Sequence, residues 1–222
     1  MTTPAVEDYL KAIYQLSVEG APVSTSAIAE RLGIAAGSVT GMLKRLAEAG
    51  LVEHTRYYGA RLTSLGIGNA LRTIRRHRIL ELFLVDVLGY TWDRVHDDAE
   101  RLEHVVTDEM IDRMAVVLGE PQADPHGAPI PTAQGELHER SYPSLAELEA
   151  GELAVLRQVP DDDAAALRYL AQLDLRPGAA LEIVEVAPFN GPLRVCINGT
   201  EQVIGRELAR KVLVERREGV QQ

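Results

Sequence analysis

Cysteine is nearly absent from this chain of 222 residues, where Cys196 stands alone. One thiol excludes an intramolecular disulfide framework and any thiolate-rich zinc site. Oxygen and imidazole are left as metal donors, which favours hard or borderline ions over soft ones. Long apolar runs are missing as well. No stretch approaches the roughly 18 residues of a membrane span, and no basic segment followed by an apolar one marks export, so the cytoplasm is the expected location. Positive charge is in deficit, with a formal net charge of −10, and this weighs weakly against a nucleic-acid partner. Net charge is not local charge, however, because each divalent ion held in an acidic cluster adds two positive charges. There is no Gly-rich phosphate loop, no nucleophile elbow and no Ser/His/Asp order that reads as catalytic.

What is there begins with helical periodicity. Length and an apolar content of 46% allow one large or two to three small globular domains. Val6, Tyr9, Leu10, Ile13 and Leu16 recur at helical spacing after Pro4, a residue suited to a first helical turn. Ser24 to Ser26 provide capping hydroxyls for a short helix that stops at Gly33, and a second helix from about Ala36 to Glu48 buries Val39, Leu43 and Leu46. This pair reads as a helix-turn-helix. Leu51–His54 and Ala60–Thr63 then flank a loop with Arg56, Tyr57 and Tyr58, the outline of a β-hairpin wing. Ser38 and Thr40 are placed to reach phosphates or base edges, Lys44, Arg45 and Arg56 to bind phosphate, and Gly41 to permit close approach.

A long helix from Ser64 to Val87 follows, with Ile79, Leu82, Phe83 and Val87 apolar and Arg72, Arg75, Arg76 and Arg78 reading as a solvated basic face. A further helix to Leu118 carries Met110, Met114 and Val117, a face that calls for a mate such as a second copy of the chain. Pro121, Pro125, Pro129, Pro131 and Pro143 mark a connector. Beyond it, short β-rich segments separated by Asn190-Gly191 and Asn198-Gly199 turns fit a small barrel. The expected fold is mainly α with a C-terminal all-β part: a winged helix-turn-helix domain (1–64), a helical metal-binding and dimerisation domain (65–120), a Pro-rich connector (121–148) and a small Src-homology-3-like barrel (149–222).

The stretch with the most chemistry is His96 to His104. On one continuous helix, His96, Glu100, Glu103 and His104 project from a single side and converge on a common point. His77 and Glu81, four apart, repeat the pattern upstream. Such histidine and carboxylate sets suit divalent first-row metals. One such pair alone is usually an ordinary surface pair, and six of these residues between positions 77 and 104 shift the balance to metal.

These features together resemble the diphtheria toxin repressor family of metal-dependent transcriptional regulators: the winged helix, His77-Arg78-x-x-Glu81, the run Val95–Val105, Asp124-Pro-His-Gly-Ala-Pro-Ile-Pro131 and the terminal barrel. The resemblance implies a homodimer that binds a palindromic operator in double-stranded DNA, with a metal ion as corepressor. By position it implies a primary metal site of Asp8, Glu100, Glu103 and His104 and an ancillary site of His77, Glu81 and His96, with Asp163 as the barrel's contribution. The family's iron-responsive branch has sulfur ligands where this chain has Asp8 and Glu100, so the carboxylates imply Mn(II) first and Fe(II) second. The manganese branch has an acidic ligand where this chain has Lys11. A metal-dependent hydrolase is the rival from another class, and a metal-independent winged-helix dimer is the plainer one.

Overall fold

The computed structural model describes residues 3–55, 57–138 and 140–217. It divides into two compact units, one of Met1–His77, Arg101–Arg113 and Pro131–Leu137, the other of Arg78–Glu100, Met114–Ile130 and His138–Gln222. Among the described residues no helix is long and apolar enough to cross a membrane.

In the first unit, α1 (Pro4–Glu19), α2 (Thr25–Leu32) and α3 (Ala36–Glu48) are followed by the hairpin β1 (Val52–Thr55) and β2 (Gly59–Leu62). The expected apolar stripes close its core: Leu10 and Ile13 of α1 meet Ile28 of α2 and Val39, Leu43 and Leu46 of α3, all buried. Ser24 Oγ accepts from the Ala27 amide at 3.1 Å and starts α2. Gly33 ends that helix at φ 64°, the left-handed value that a residue without Cβ adopts at little cost. The tight turn leaves Ser38, Thr40, Gly41, Lys44 and Arg45 exposed along α3. The wing pairs antiparallel from Val52 with Leu62 to Thr55 with Gly59, and Tyr57 and Tyr58 stand exposed at its tip. Arg56 lies outside the described residues.

α4 (Ser64–Asp86) ends just before Val87, which is exposed; the buried side chains of this helix are Ala70, Leu71, Ile74, Ile79, Leu80 and Leu84 together with the polar Thr73, His77 and Glu81. Of its arginines only Arg72 is exposed, and Arg75, Arg76 and Arg78 do not form the solvated face that their run suggests. Within the first unit Arg72 and Arg76 pair with Asp108 and Arg75 pairs with Asp112 at 3.1 Å, while within the second Arg78 approaches Asp124 at 3.6 Å. Asp108 in the acidic first turn of α6 (Asp108–Val117) attracts Arg72 and Arg76, a pairing that sequence distance concealed.

α5 spans Val95–Leu102 only. The expectation of one unbroken helix through His104 is therefore corrected: the chain turns after Leu102, whose carbonyl accepts from the amides of Val105 and Val106 at 3.0 and 3.1 Å. Glu103 and His104 stand on that turn, and the four ligand-type residues do not share one helical face.

The second unit is built on a five-stranded antiparallel sheet ordered β6-β5-β4-β3-β7, from β3 (Leu153–Gln158), β4 (Ala180–Val186), β5 (Leu193–Ile197), β6 (Thr200–Ile204) and β7 (Leu213–Arg217). α7 (Ala164–Gln172) and the short α8 (Arg206–Ala209) complete it. Leu156, Ile183, Val195 and Val214 meet Leu167, Leu170 and Trp92 in its core.

Candidate metal centres

Two groups of donor atoms, one in each unit, are drawn together with every atom of a group within 4.8 Å of the others. The first joins Asp8 of α1 to Glu103 and His104 of the turn after α5. His104 is the hinge of this group. Its Nδ1 lies 2.8 Å from Glu7 Oε2, and its Nε2 lies 2.9 Å from Asp8 Oδ1 and 3.7 Å from Glu103 Oε1. A carboxylate on one imidazole nitrogen fixes the ring and its tautomer and leaves the other nitrogen for a metal. Glu7 thus supports the ring that presents Nε2 to the two carboxylates. Arg76 holds Glu7 in turn at 3.6 Å. The Asp8 side chain is 40% exposed, so the group is open on that side.

Glu103 is fully buried beside a lysine. Lys11 Nζ donates to both of its oxygens at 2.9 Å, and His77 Nδ1 lies 2.6 Å from Oε2. His77 therefore meets Glu103 within this unit.

The second group is Glu81, Asp124 and His126, all buried. Asp124 opens a tight loop: its Oδ1 accepts from the amides of His126 and Ala128 at 2.8 and 3.0 Å, and its Oδ2 faces Arg78 Nε at 3.6 Å, beyond hydrogen-bond reach. His126 Nε2 donates to the Trp92 carbonyl at 2.8 Å, and the two rings stack with centroids 5.7 Å apart. That bond orients Nδ1 towards Glu81 Oε2 at 3.7 Å, an ion-pair distance rather than a hydrogen bond. Asp124 Oδ2 and His126 Nδ1 are buried without a hydrogen-bond partner. Gly127 seats the loop on β3, for its φ is 90° and a Cβ there would fall 1.8 Å from the Arg157 carbonyl oxygen.

The electrostatics of this group follow from burial. Desolvation, reinforced by the Glu81 charge, lifts Asp124 to about 6. Burial works against the His126 imidazolium, but the facing carboxylates of Glu81 and Asp124 outweigh it and hold that group up at about 9. Orphaned polar atoms in a closed pocket of two carboxylates and one imidazole fit a divalent cation, which supplies the missing charge and the missing contacts.

Of the other residues singled out from sequence, His96 Nδ1 lies 3.3 Å from Glu81 Oε1, and its Nε2 lies 3.8 Å from Glu100 Oε1. Asp163 caps α7, where its Oδ1 accepts from Ala165 and Ala166 at 2.9 and 3.0 Å and these bonds hold its carboxyl below the usual range. Among the described residues it belongs to no donor group. Asp124 and His126 were visible only as part of a Pro-rich motif, and Glu7 was overlooked. Two ligand-type residues flanking Pro125 were the available signal for the former, since proline and glycine stiffen a loop enough to present a donor.

Residues 1–60 match the family described as iron-dependent repressor, N-terminal DNA binding domain. Residues 63–132 match iron-dependent repressor, metal binding and dimerisation domain, and residues 144–216 match the FeoA domain. The iron-dependent repressor IdeR of Mycobacterium tuberculosis strain H37Rv is 32% identical over 223 residues, which cover 95% of this chain and 96% of that protein. The diphtheria toxin repressor of Corynebacterium glutamicum is 34% identical over 227 residues, covering 96% of both. A solved manganese-dependent transcriptional repressor in complex with manganese superposes with a TM-score of 0.89 at 37% identity, covering 95% of this chain and 99% of that one. The manganese regulator SloR superposes at 0.77 with 32% identity, covering 98% and 100%.

Proposed function

The chain belongs to the diphtheria toxin repressor family of metal-dependent transcriptional repressors, and on that premise we propose that it is a manganese-responsive repressor of metal-transport genes. The family consists of DNA-binding proteins and not enzymes, which sets aside the hydrolase reading.

The observation that carries the proposal is the 2.9 Å approach of His104 Nε2 to Asp8 Oδ1. Asp8 belongs to the segment matching the DNA-binding domain, and His104 to the segment matching the metal-binding and dimerisation domain. An ion held by Asp8, Glu103 and His104 therefore ties α1 to the turn after α5 and restricts how the DNA-reading helix is carried. Oxygen and imidazole donors without a thiolate favour Mn(II) over softer ions, and the likeness to manganese-dependent repressors points the same way. Fe(II) is the second candidate, supported by the likeness to IdeR.

Glu81, Asp124 and His126 form a second, closed centre in this reading, with His96 beside Glu81. The exposed Val116 and Val117 of α6 belong to a homodimer surface. Two α3 helices in such a dimer meet successive major grooves of a palindromic operator, roughly 34 Å apart. Ser38, Thr40, Gly41, Lys44, Arg45 and Arg56 supply the contacts to bases and phosphates.

The test selects DNA from a random pool in the presence of Mn(II), then measures affinity for the winner with Mn(II), with anaerobic Fe(II) and with chelator. Binding that needs metal, responds best to Mn(II) and is lost in Asp8→Ala is the expected result. Affinity indifferent to chelator sinks the proposal, and an equal or better response to Fe(II) transfers it to iron.

A further inference from the structure

Lys11 has no place in the ligand set just described, yet it is among the most deeply placed charges in the first unit. It lies on α1 three residues after Asp8, and only 7% of it is exposed. A lysine is rarely buried to this extent unless paired. Its Nζ donates to both oxygens of the wholly buried Glu103 at 2.9 Å and lies 3.3 Å from His77 Nδ1. The ammonium thus meets two carboxylate oxygens and an imidazole nitrogen, donor types that also surround a divalent ion in a centre without sulfur.

We propose that the Lys11 ammonium is a tethered second cation of the Asp8, Glu103 and His104 centre, holding Glu103 in position and limiting that centre to one divalent ion. The inference rests on the assignment of that centre as a metal site.

A buried carboxylate needs compensating charge at all times. A diffusible ion provides it only when bound, whereas a side chain from α1 provides it permanently. The ammonium also sits on the side of Glu103 where a second divalent ion would have to lie to use His77. There the ammonium offers three N–H donors and no lone pair, and like charges a few ångströms apart repel in a poorly solvated pocket. Oε1 of Glu103, which is 3.7 Å from His104 Nε2, still faces the first ion position. The centre thus takes up a single ion, and its response to metal concentration is that of one independent site.

The test counts ions on the full chain. Equilibrium dialysis against Mn(II) gives the number bound, and electron paramagnetic resonance separates isolated from coupled Mn(II). Wild type, Asp8→Ala, Lys11→Glu and Lys11→Gln are compared, each checked by circular dichroism and prepared with Mn(II) throughout. Lys11→Glu, which exchanges the cation for a donor, is expected to bind one more Mn(II) per chain than wild type and to lose isolated-ion signal as the two ions couple. Lys11→Gln, which removes the charge and offers a neutral oxygen, is expected to gain the same ion at least tenfold more weakly. If Lys11→Glu does not fold, the count on Lys11→Gln decides. A folded Lys11 variant at the wild-type count overturns the proposal. Asp8→Ala separates the levels: a tenfold or greater loss of affinity for one Mn(II) upholds the centre itself, and unchanged binding overturns the centre and this inference together.

Discussion

At Asp8, Glu103 and His104 the donors are already engaged, Glu103 by Lys11 and His77, and His104 by Glu7 and Asp8. At Glu81, Asp124 and His126 the same residue types enclose a pocket in which Asp124 Oδ2 and His126 Nδ1 have no hydrogen-bond partner. One group is partly open and its donors are hydrogen-bonded or paired; the other is closed and keeps buried polar atoms without a hydrogen bond. Because polar atoms left unsatisfied in a closed site raise the free energy of the metal-free state, an ion there contributes chiefly to holding the fold. On the proposed reading, an ion at the partly open group would displace existing contacts and join two segments, as a sensor requires.

The largest effect that can break this contrast is at Glu103. Glu103→Ala leaves Lys11 buried without its carboxylate, so chemical denaturation of the metal-free chain is expected to show a loss of roughly 3–5 kcal/mol, and Mn(II)-dependent DNA binding disappears. A near-wild-type denaturation midpoint would show that the ammonium does not depend on Glu103. Next comes Gly127→Ala. Its Cβ falls on the Arg157 carbonyl oxygen at a left-handed φ, so a destabilisation of about 3 kcal/mol is expected. Weaker Mn(II) binding at the closed group alone accompanies it, and an equal weakening at Asp8 would mean that the two groups are not separable.

The third prediction concerns pH in the metal-free chain. A group whose folded pKa is raised contributes stability that is complete below its unfolded value and lost as pH rises through the folded one. Stability is thus expected to fall in two steps, as pH passes about 6 at Asp124 and about 9 at His126. Each step is on the order of 1–3 kcal/mol in thermal or urea melts. A melt flat across both ranges would remove the electrostatic account of the closed group. Smallest is Asp163→Ala. Loss of an N-cap lowers Tm by about 3 °C, while the number of Mn(II) bound stays the same; a lost ion would make Asp163 a ligand as well as a cap.

Much of the fold was legible because it follows local rules. The stripes Tyr9, Leu10, Ile13 and Val39, Leu43, Leu46 have helical spacing, Ser24 and Gly33 bracket α2, and the Asn-Gly turns separate the strands of the sheet. The donor types of the candidate centres were legible as well, since a chain with one cysteine leaves oxygen and imidazole. Illegible were the end of α5 at Leu102, the pairing of the α4 arginines with Asp108 and Asp112, and the role of the loop at Asp124. The last two depend on which side chains meet across tens of residues, and helical periodicity carries no such information.

The sequence by itself determined the elements, their order and a donor repertoire of oxygen and imidazole. Tertiary structure decided which donors meet. It set Asp8 against His104 across ninety-six positions, with Glu7 behind the ring, and it carried Asp124 and His126 to Glu81 in a buried pocket. It also turned Lys11 onto Glu103, where burial makes opposite charges necessary to one another. The reason is the same in each case: periodicity is a property of neighbours along the chain, whereas desolvation and charge pairing are properties of neighbours in space.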